Sequence, residues 1–178
     1  RQSEVIGLSW PDVDFRKGII FVRRQLVKLP EKGQGYIFSS PKSRKSRIIK
    51  PAQTVMRILD HQREQQKHWA QTAGSAWDNP DNLVFTNEVG RHLAHVTVYK
   101  RFKDIVRELG FPECRFHDLR HTFATVSLEN GDSIKTVQAN LGHATASFTM
   151  AKYAHVSEVM RMESSVQMDR FIHNVSDL

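Results

Sequence analysis

The sequence holds 178 residues, enough for one domain of ordinary size with its own core, and its 39% hydrophobic and 25% charged content is that of a globular chain. No apolar run approaches the roughly 20 residues that span a bilayer, and no charged-then-apolar leader opens the chain, so a membrane-spanning or exported protein is not expected. Lys and Arg number 26 against 19 acids, a net charge of +7 that calls for a polyanionic partner, and the single cysteine, Cys114, forms no internal disulfide and fits a reducing cytoplasm.

The chain begins RQSEVIGLSW, without an initiator Met and on what reads as a helix over residues 1–8, so Arg1 is expected to lie inside a longer natural protein. Asp12–Val22 alternates around Arg16-Lys17-Gly18 and predicts a hairpin. Tyr36–Ser39 and Ser46–Ile49 predict a second pair, joined by the basic turn Pro41–Lys45. Val55, Ile58 and Leu59 give helical spacing over residues 52–70, and Gln71–Asn82 has the composition of a loop. Leu83–Thr86 reads as a short strand, and Val89-Gly90-Arg91 as a turn. Val96–Leu109 is an amphipathic helix stopped by Gly110. Further helices are expected from Phe116 to Asn130, from Ser133 to Leu141 with Gly142 as its cap, and over Thr145–Tyr153. Ser157–Val175 spaces Met160, Val166, Phe171 and Ile172 along a last helical segment. These elements make an α+β fold, mostly helical, with a small antiparallel sheet at one edge.

Chemistry concentrates in a few places. Phe116-His117-Asp118-Leu119-Arg120 puts an imidazole three residues before a guanidinium, so that on a helix both share a face. A guanidinium holds phosphate oxygens with a planar fork of donors, while an imidazole beside it exchanges a proton with an adjacent oxygen. Leu141-Gly142-His143 adds a second histidine just after a helix stop, and Tyr153 follows ten residues later. Lys42, Arg44, Lys45, Arg47 and Lys50 crowd one stretch; Arg91, Lys100, Arg101, Lys103 and Arg107 form another basic group. Both suit phosphate-facing surfaces, with Arg44, Lys45, Arg47, Arg91, Lys100 and Arg101 as the candidate contacts to a polyanion. Nine histidines raise the question of a metal, yet no H-x-E or H-E-x-x-H pattern occurs and one cysteine builds no Cys-rich zinc site.

HDLRHTFAT followed by LGHATASFTMAKYAHV resembles the C-terminal motif set of tyrosine recombinases of the phage and transposon integrase type. RQSEVIGLSWPDVD resembles that family's first motif, an Arg three residues before a Glu, and SSPKSRKSRIIKP its lysine-bearing β-hairpin. Four blocks thus occur in the family's order over residues 1 to about 156. The resemblance implies that Arg1 and Arg120 clamp one phosphodiester and stabilise its pentavalent transition state, while Tyr153 attacks phosphorus to give a 3′-phosphotyrosyl link and a free 5′-hydroxyl. It implies a leaving-group acid at Lys42, with Lys45 an open alternative, a proton-exchanging His117, and a hydrogen bond to the phosphate from His143. Glu4 matches an acidic position that supports the active site in the family; an ordinary first-turn helix acid is the other reading. No metal or nucleotide cofactor is required by that chemistry.

The implied partner is double-stranded DNA carrying an attachment site, in a bacterial cytoplasm on the nucleoid, with accessory DNA-bending proteins as further partners and no membrane. The whole chain reads as a catalytic domain whose preceding helices and N-terminal DNA-binding domains are not in this sequence. Residues 157–178 read as a helical tail that either packs on its own domain or docks on a neighbouring protomer. Three readings compete: a non-catalytic DNA-binding module of the same fold, a type IB topoisomerase, and a metal-dependent nuclease that a chelator would expose.

Overall fold

The computed structural model describes residues 1–29, 35–42 and 45–142, with 165–166, 168–170 and 172–173 beyond them. The chain forms two compact units, Arg1–Asp118 and Leu119–Leu178. The first begins with a short helix, α1 (Gln2–Ile6), shorter than residues 1–8 because Gly7 closes it. A side chain at Gly7 would meet the Leu26 backbone nitrogen at 2.7 Å, so glycine here lets the strand that carries Leu26 lie directly against the helix end.

Strands β1 (Val13–Asp14) and β2 (Ile19–Val22) form the expected hairpin, with Val13 opposite Ile20 and Gly18 supplying a positive φ of 63° in the turn. Two further strand segments also form, but they do not pair with each other as their sequence order suggested. Tyr36–Ser39 pairs antiparallel with Gln25–Lys28, a strand the alternation did not reveal; these are β4 and β3. Arg47–Ile49, β5, pairs instead with the open side of β2, Val22 facing Arg47 and Ile20 facing Ile49. One expected sheet is therefore a three-stranded β1-β2-β5 and a two-stranded β3-β4.

Two arginines fix the corner between them. Arg23 pairs through Nε with the carboxylate of Asp12, which is 1% exposed and also accepts from Ser9 Oγ at 2.7 Å. Arg24 donates to the carbonyls of Gly7 (3.2 Å) and Asp81 (3.1 Å) while its guanidinium lies 4.0 Å over the Phe38 ring.

Helix α2 (Gln53–Ala73) runs three residues further than its spacing predicted and passes into a 3-10 turn at Gly74–Ala76, so the loop starts later. Its Met56 and Leu59 close the first core with Val13 and Val84, and Leu8, Trp10, Phe15, Ile20 and Phe85 pack around them. Leu83–Thr86 is not a strand: single bridges join Ser9 to Leu83 and Thr86 to His92, and the buried Gln66 of α2 takes the segment's polar atoms instead. Helix α3 (His95–Glu108) ends as expected before Gly110.

Helix α4 (Asp118–Glu129) starts two residues later than the sequence suggested, leaving His117 in the preceding turn. Asp118 at its first position accepts from the Arg115 backbone N–H at 2.8 Å, an acid placed where the helix dipole favours it. Helix α5 (Ile134–Leu141) is capped by Ser133, whose hydroxyl accepts from the Thr136 N–H at 3.1 Å, and ends at Gly142 in the left-handed conformation. Ala124, Leu128, Val137 and Leu141 form the second unit's core, with Ile134 against it. The expected helix Thr145–Tyr153 and most of Ser157–Val175 lie outside the described residues; those described between 165 and 173 are helical. Among the described residues no helix is long and apolar enough to cross a membrane.

Candidate active site

The first unit gathers two arginines on one buried carboxylate. Arg1 stands at the N-cap of α1 and Glu4 in its first turn, where an acid is favoured by the helix dipole. Glu4 is 5% exposed; its Oε1 accepts from Arg1 Nη1 at 2.8 Å and from Arg47 Nη1 at 3.1 Å, and its Oε2 from Arg47 Nη2 at 2.7 Å. Arg47 thus grips the carboxylate as a two-pronged fork from β5, while Arg1 approaches from the helix. Burial alone would push the Glu4 carboxyl up. The Arg47 hydrogen bonds and charge, with the Arg1 hydrogen bond, outweigh it and hold the group at about 2. Two positive charges against one negative leave the cluster cationic, with both guanidinium planes oriented by the same anion.

A second set of contacts fixes α1 itself. Gln2 Nε2 donates to the His95 carbonyl at 2.6 Å, and Ser3 Oγ lies 3.0 Å from His95 Nε2. The His95 backbone N–H donates to the Tyr36 hydroxyl at 3.2 Å, and the two rings stack at 5.6 Å with a 4° interplanar angle. His92 meets the same tyrosine ring at 4.4 Å. Burial, with His92 beside it, lowers the His95 imidazole below its ordinary value and so favours the neutral ring. The cluster joins α1, β4 and the start of α3, and spacing alone did not reveal it, because its members lie up to 93 residues apart. The one local signal was polar and aromatic residues at the starts of otherwise apolar elements.

The other expected residues fall as follows. Lys42 follows the buried Pro41 in a turn between β4 and β5 and is exposed, as is Lys45; Arg44 lies outside the described residues. Arg47, expected on a DNA-facing surface, is turned inward, its side chain 12% exposed and bound to Glu4. The alternation that made β5 a strand decides this, because Arg47 and Ile49 share one face and the exposed Ile48 the other. Arg91, Lys100 and Arg101 are exposed. Arg91 Nε lies 3.5 Å from Asp78, and of their basic group Lys103 is spent on the carbonyls of Pro112 and Cys114.

His117 is exposed in a turn anchored by its neighbour Phe116, whose ring meets Phe102 edge-on at 5.3 Å. In the second unit Arg120 donates from Nη2 to the Leu141 carbonyl at 2.6 Å. Leu141 is also a core residue, and Gly142 takes a φ of 62° that turns the chain after it. The Leu-Gly of the L-G-H block thus has a structural reason: Leu141 braces Arg120 and Gly142 makes the turn. His143 and Tyr153 lie outside the described residues. Among the described residues no three His, Cys, Asp or Glu side chains cluster closely enough to hold a metal ion.

Comparison with known proteins gives the same picture from another direction. The model of the phage integrase family matches residues 1–159. A tyrosine recombinase XerC-like protein of Caldanaerobacter subterraneus subsp. tengcongensis is 35% identical over 165 residues, covering 88% of this chain and 42% of its own length. A putative prophage phiRv2 integrase of Mycobacterium tuberculosis is 28% identical over 180 residues, covering 98% of this chain and 44% of its own. The chain thus spans less than half the length of these relatives. Among solved structures, the Tn1549 transposon integrase in complex with transposon right end DNA superposes with a TM-score of 0.76 at 25% identity, covering 93% of this chain and 54% of that one. The XerA recombinase shares the fold, with a TM-score of 0.65 over 92% of this chain and 53% of that one, at 24% identity. With its motif blocks in order, the arginine pair on Glu4 and the matching fold, the chain belongs to the phage integrase family of tyrosine recombinases.

Proposed function

We propose that this chain is the catalytic part of a site-specific recombinase that cuts and rejoins DNA strands to integrate or excise a mobile element. The observation that carries the reading is the Glu4 cluster: a buried carboxylate orienting Arg1 at the first block of the family's motif set. In this reading Arg1 and Arg120 hold the non-bridging oxygens of the scissile phosphate and oppose the charge that builds there. Tyr153 attacks phosphorus, the 3′-phosphotyrosyl bond forms and the bond to the 5′ oxygen breaks; Lys42, or Lys45, gives that oxygen its proton. His117 takes part in proton exchange, and His143 donates a hydrogen bond to the phosphate. The reverse attack by a 5′-hydroxyl reseals the strand with no external energy source.

The partner is duplex DNA at an attachment site, in keeping with a Tn1549 transposon integrase whose solved structure holds transposon right end DNA. The setting is the bacterial cytoplasm on the nucleoid, with copies of the protein assembling on DNA through residues 157–178 and accessory DNA-bending proteins assisting. Neither a binding-only module nor a topoisomerase is favoured by relatives named recombinases and integrases. The test is covalent trapping on a nicked duplex carrying the protein's own attachment sequence, without added metal. An SDS-stable adduct is expected, lost in Tyr153→Phe. No adduct, with DNA binding intact and the rest of the natural chain restored, would overturn the reading.

A further inference from the structure

A second cationic site lies at the far end of the three-stranded sheet. The turn between β1 and β2 and the start of α2 enclose an open cavity of about 670 Å³, lined by Phe15, Arg16, Lys17, Lys50, Arg57 and Arg63 with Asp60 as its acid. Five cations thus face one carboxylate. Arg63 uses that carboxylate, bonding Asp60 at 2.7 Å while its guanidinium lies 4.4 Å over the Phe15 ring. Arg57 bonds the neutral Thr54 hydroxyl at 3.1 Å. Among the described residues Arg16, Lys17, Lys50 and Arg57 have no acidic partner, although the chain pairs several of its other surface cations. No acid occupies the first turn of α2 either, so Asp60 is the only acid among the lining residues.

Strand register separates this cavity from the Glu4 cluster. Arg47 sits opposite Val22 at one end of the pairing and Ile49 opposite Ile20 near the hairpin turn at the other. Lys50 is thus roughly 10 Å along the strand from Arg47 at a rise of about 3.3 Å per residue.

We propose that this cavity is a second phosphate-binding site that takes the backbone of duplex DNA without regard to sequence, at a phosphate other than the one being cut. Two arginine forks and two ammonium groups from three separate segments suit a row of phosphates better than one carboxylate, and the open mouth admits a continuous chain. The inference borrows from the recombinase reading only the identity of the polyanion.

The test compares three forms of the chain on a 30-base-pair duplex lacking any attachment site, by anisotropy over a range of salt. One form is unaltered, one carries R16Q, K17Q, K50Q and R57Q, and one loses four cations elsewhere (K28Q, K67Q, R115Q, K135Q). Each phosphate neutralised contributes about 0.9 to the slope of log K against log salt. The cavity variant is expected to lose about 2 from that slope and the control variant less than 1. Equal losses would overturn the inference, since net charge alone would then explain binding. So would an unchanged DNA slope with loss of polyglutamate binding, which would assign the cavity to an acidic polypeptide, or with loss of micromolar inorganic phosphate binding, which would assign it to a small ligand. Trapping with saturating attachment-site DNA is read separately. An adduct formed equally by the cavity variant and the unaltered chain supports a site outside the cleavage chemistry. Absence of any adduct with DNA binding intact and the rest of the natural chain restored overturns the recombinase reading and leaves the slope comparison to decide the cavity.

Discussion

At the scale of single residues, Glu4 shows how a buried acid fixes two guanidiniums. An arginine that must meet a phosphate in one orientation needs a fixed anchor, and a carboxylate held at about 2 supplies a full negative charge at every working pH. Glu4→Gln keeps one acceptor oxygen but turns an N–H₂ toward two guanidiniums, and is expected to cost about 2–3 kcal/mol in urea unfolding at pH 7. Because the folded value lies below the ordinary carboxylate range, the charge contributes fully above about pH 4.5, and its contribution fades as the pH falls toward 2. The gap between unaltered chain and variant should therefore be flat from pH 5 to 8 and close only below about pH 4.5. His95 adds a separate dependence: its lowered value favours the neutral ring, so its stability is lost as the pH falls from about 6.5. That loss is common to both proteins and cancels in the difference. A gap that closes near pH 6 would show that Glu4 is not the titrating group.

At the scale of elements, Gln66 decides the conformation of a segment that sequence alone misassigned. Its amide N–H₂ reaches the carbonyls of Leu83 (2.9 Å) and Val84 (3.0 Å) and the Thr86 hydroxyl (3.0 Å), while its oxygen accepts from Trp10 Nε1 at 2.8 Å. Gln66→Leu keeps much of the volume and strands the half-buried Trp10 N–H and the buried Thr86 hydroxyl, for an expected loss of about 2–3 kcal/mol in urea, with Trp10 fluorescence changed in the native state. Gln66→Glu is expected to be worse, because a carboxylate cannot donate to the three acceptors it faces. A leucine variant as stable as the parent would overturn this account. The same contrast explains what the sequence could disclose. Periodicity located α2, α3 and α5, and alternation located β2, β4 and β5, because each buries one face of its own local pattern. Pairing was not legible, since it rests on contacts far apart in sequence: Gly7 against Leu26, Arg24 reaching Asp81, and Arg23 held by Asp12. Arg47 was misread for a related reason. In a run of basic residues only strand phase distinguishes the one that turns inward, and the partner that rewards it, Glu4, is 43 residues away.

At the scale of the whole molecule, the segment after Tyr153 raises a question that one copy of the chain does not answer. Val166, Met168 and Ile172 lie in helical positions with relative exposures of 51%, 57% and 52%, so each leaves about half its surface in water. Removing side chains so exposed forfeits little transfer free energy, well under the 1.5–3 kcal/mol or so of a fully buried one. Deleting residues 160–178 is therefore expected to remove only the segment's own helical signal from the far-UV spectrum and to leave the melting midpoint within a few degrees. In the recombinase reading the same apolar positions join copies on DNA, so their loss should appear in assembly rather than in folding. Trapped adduct from the unaltered chain should rise more steeply than linearly with protein concentration, and adduct from the shortened chain should follow simple saturation. Loss of cooperative unfolding on deletion would instead make the segment part of the fold of its own unit, and identical concentration curves would remove its part in assembly.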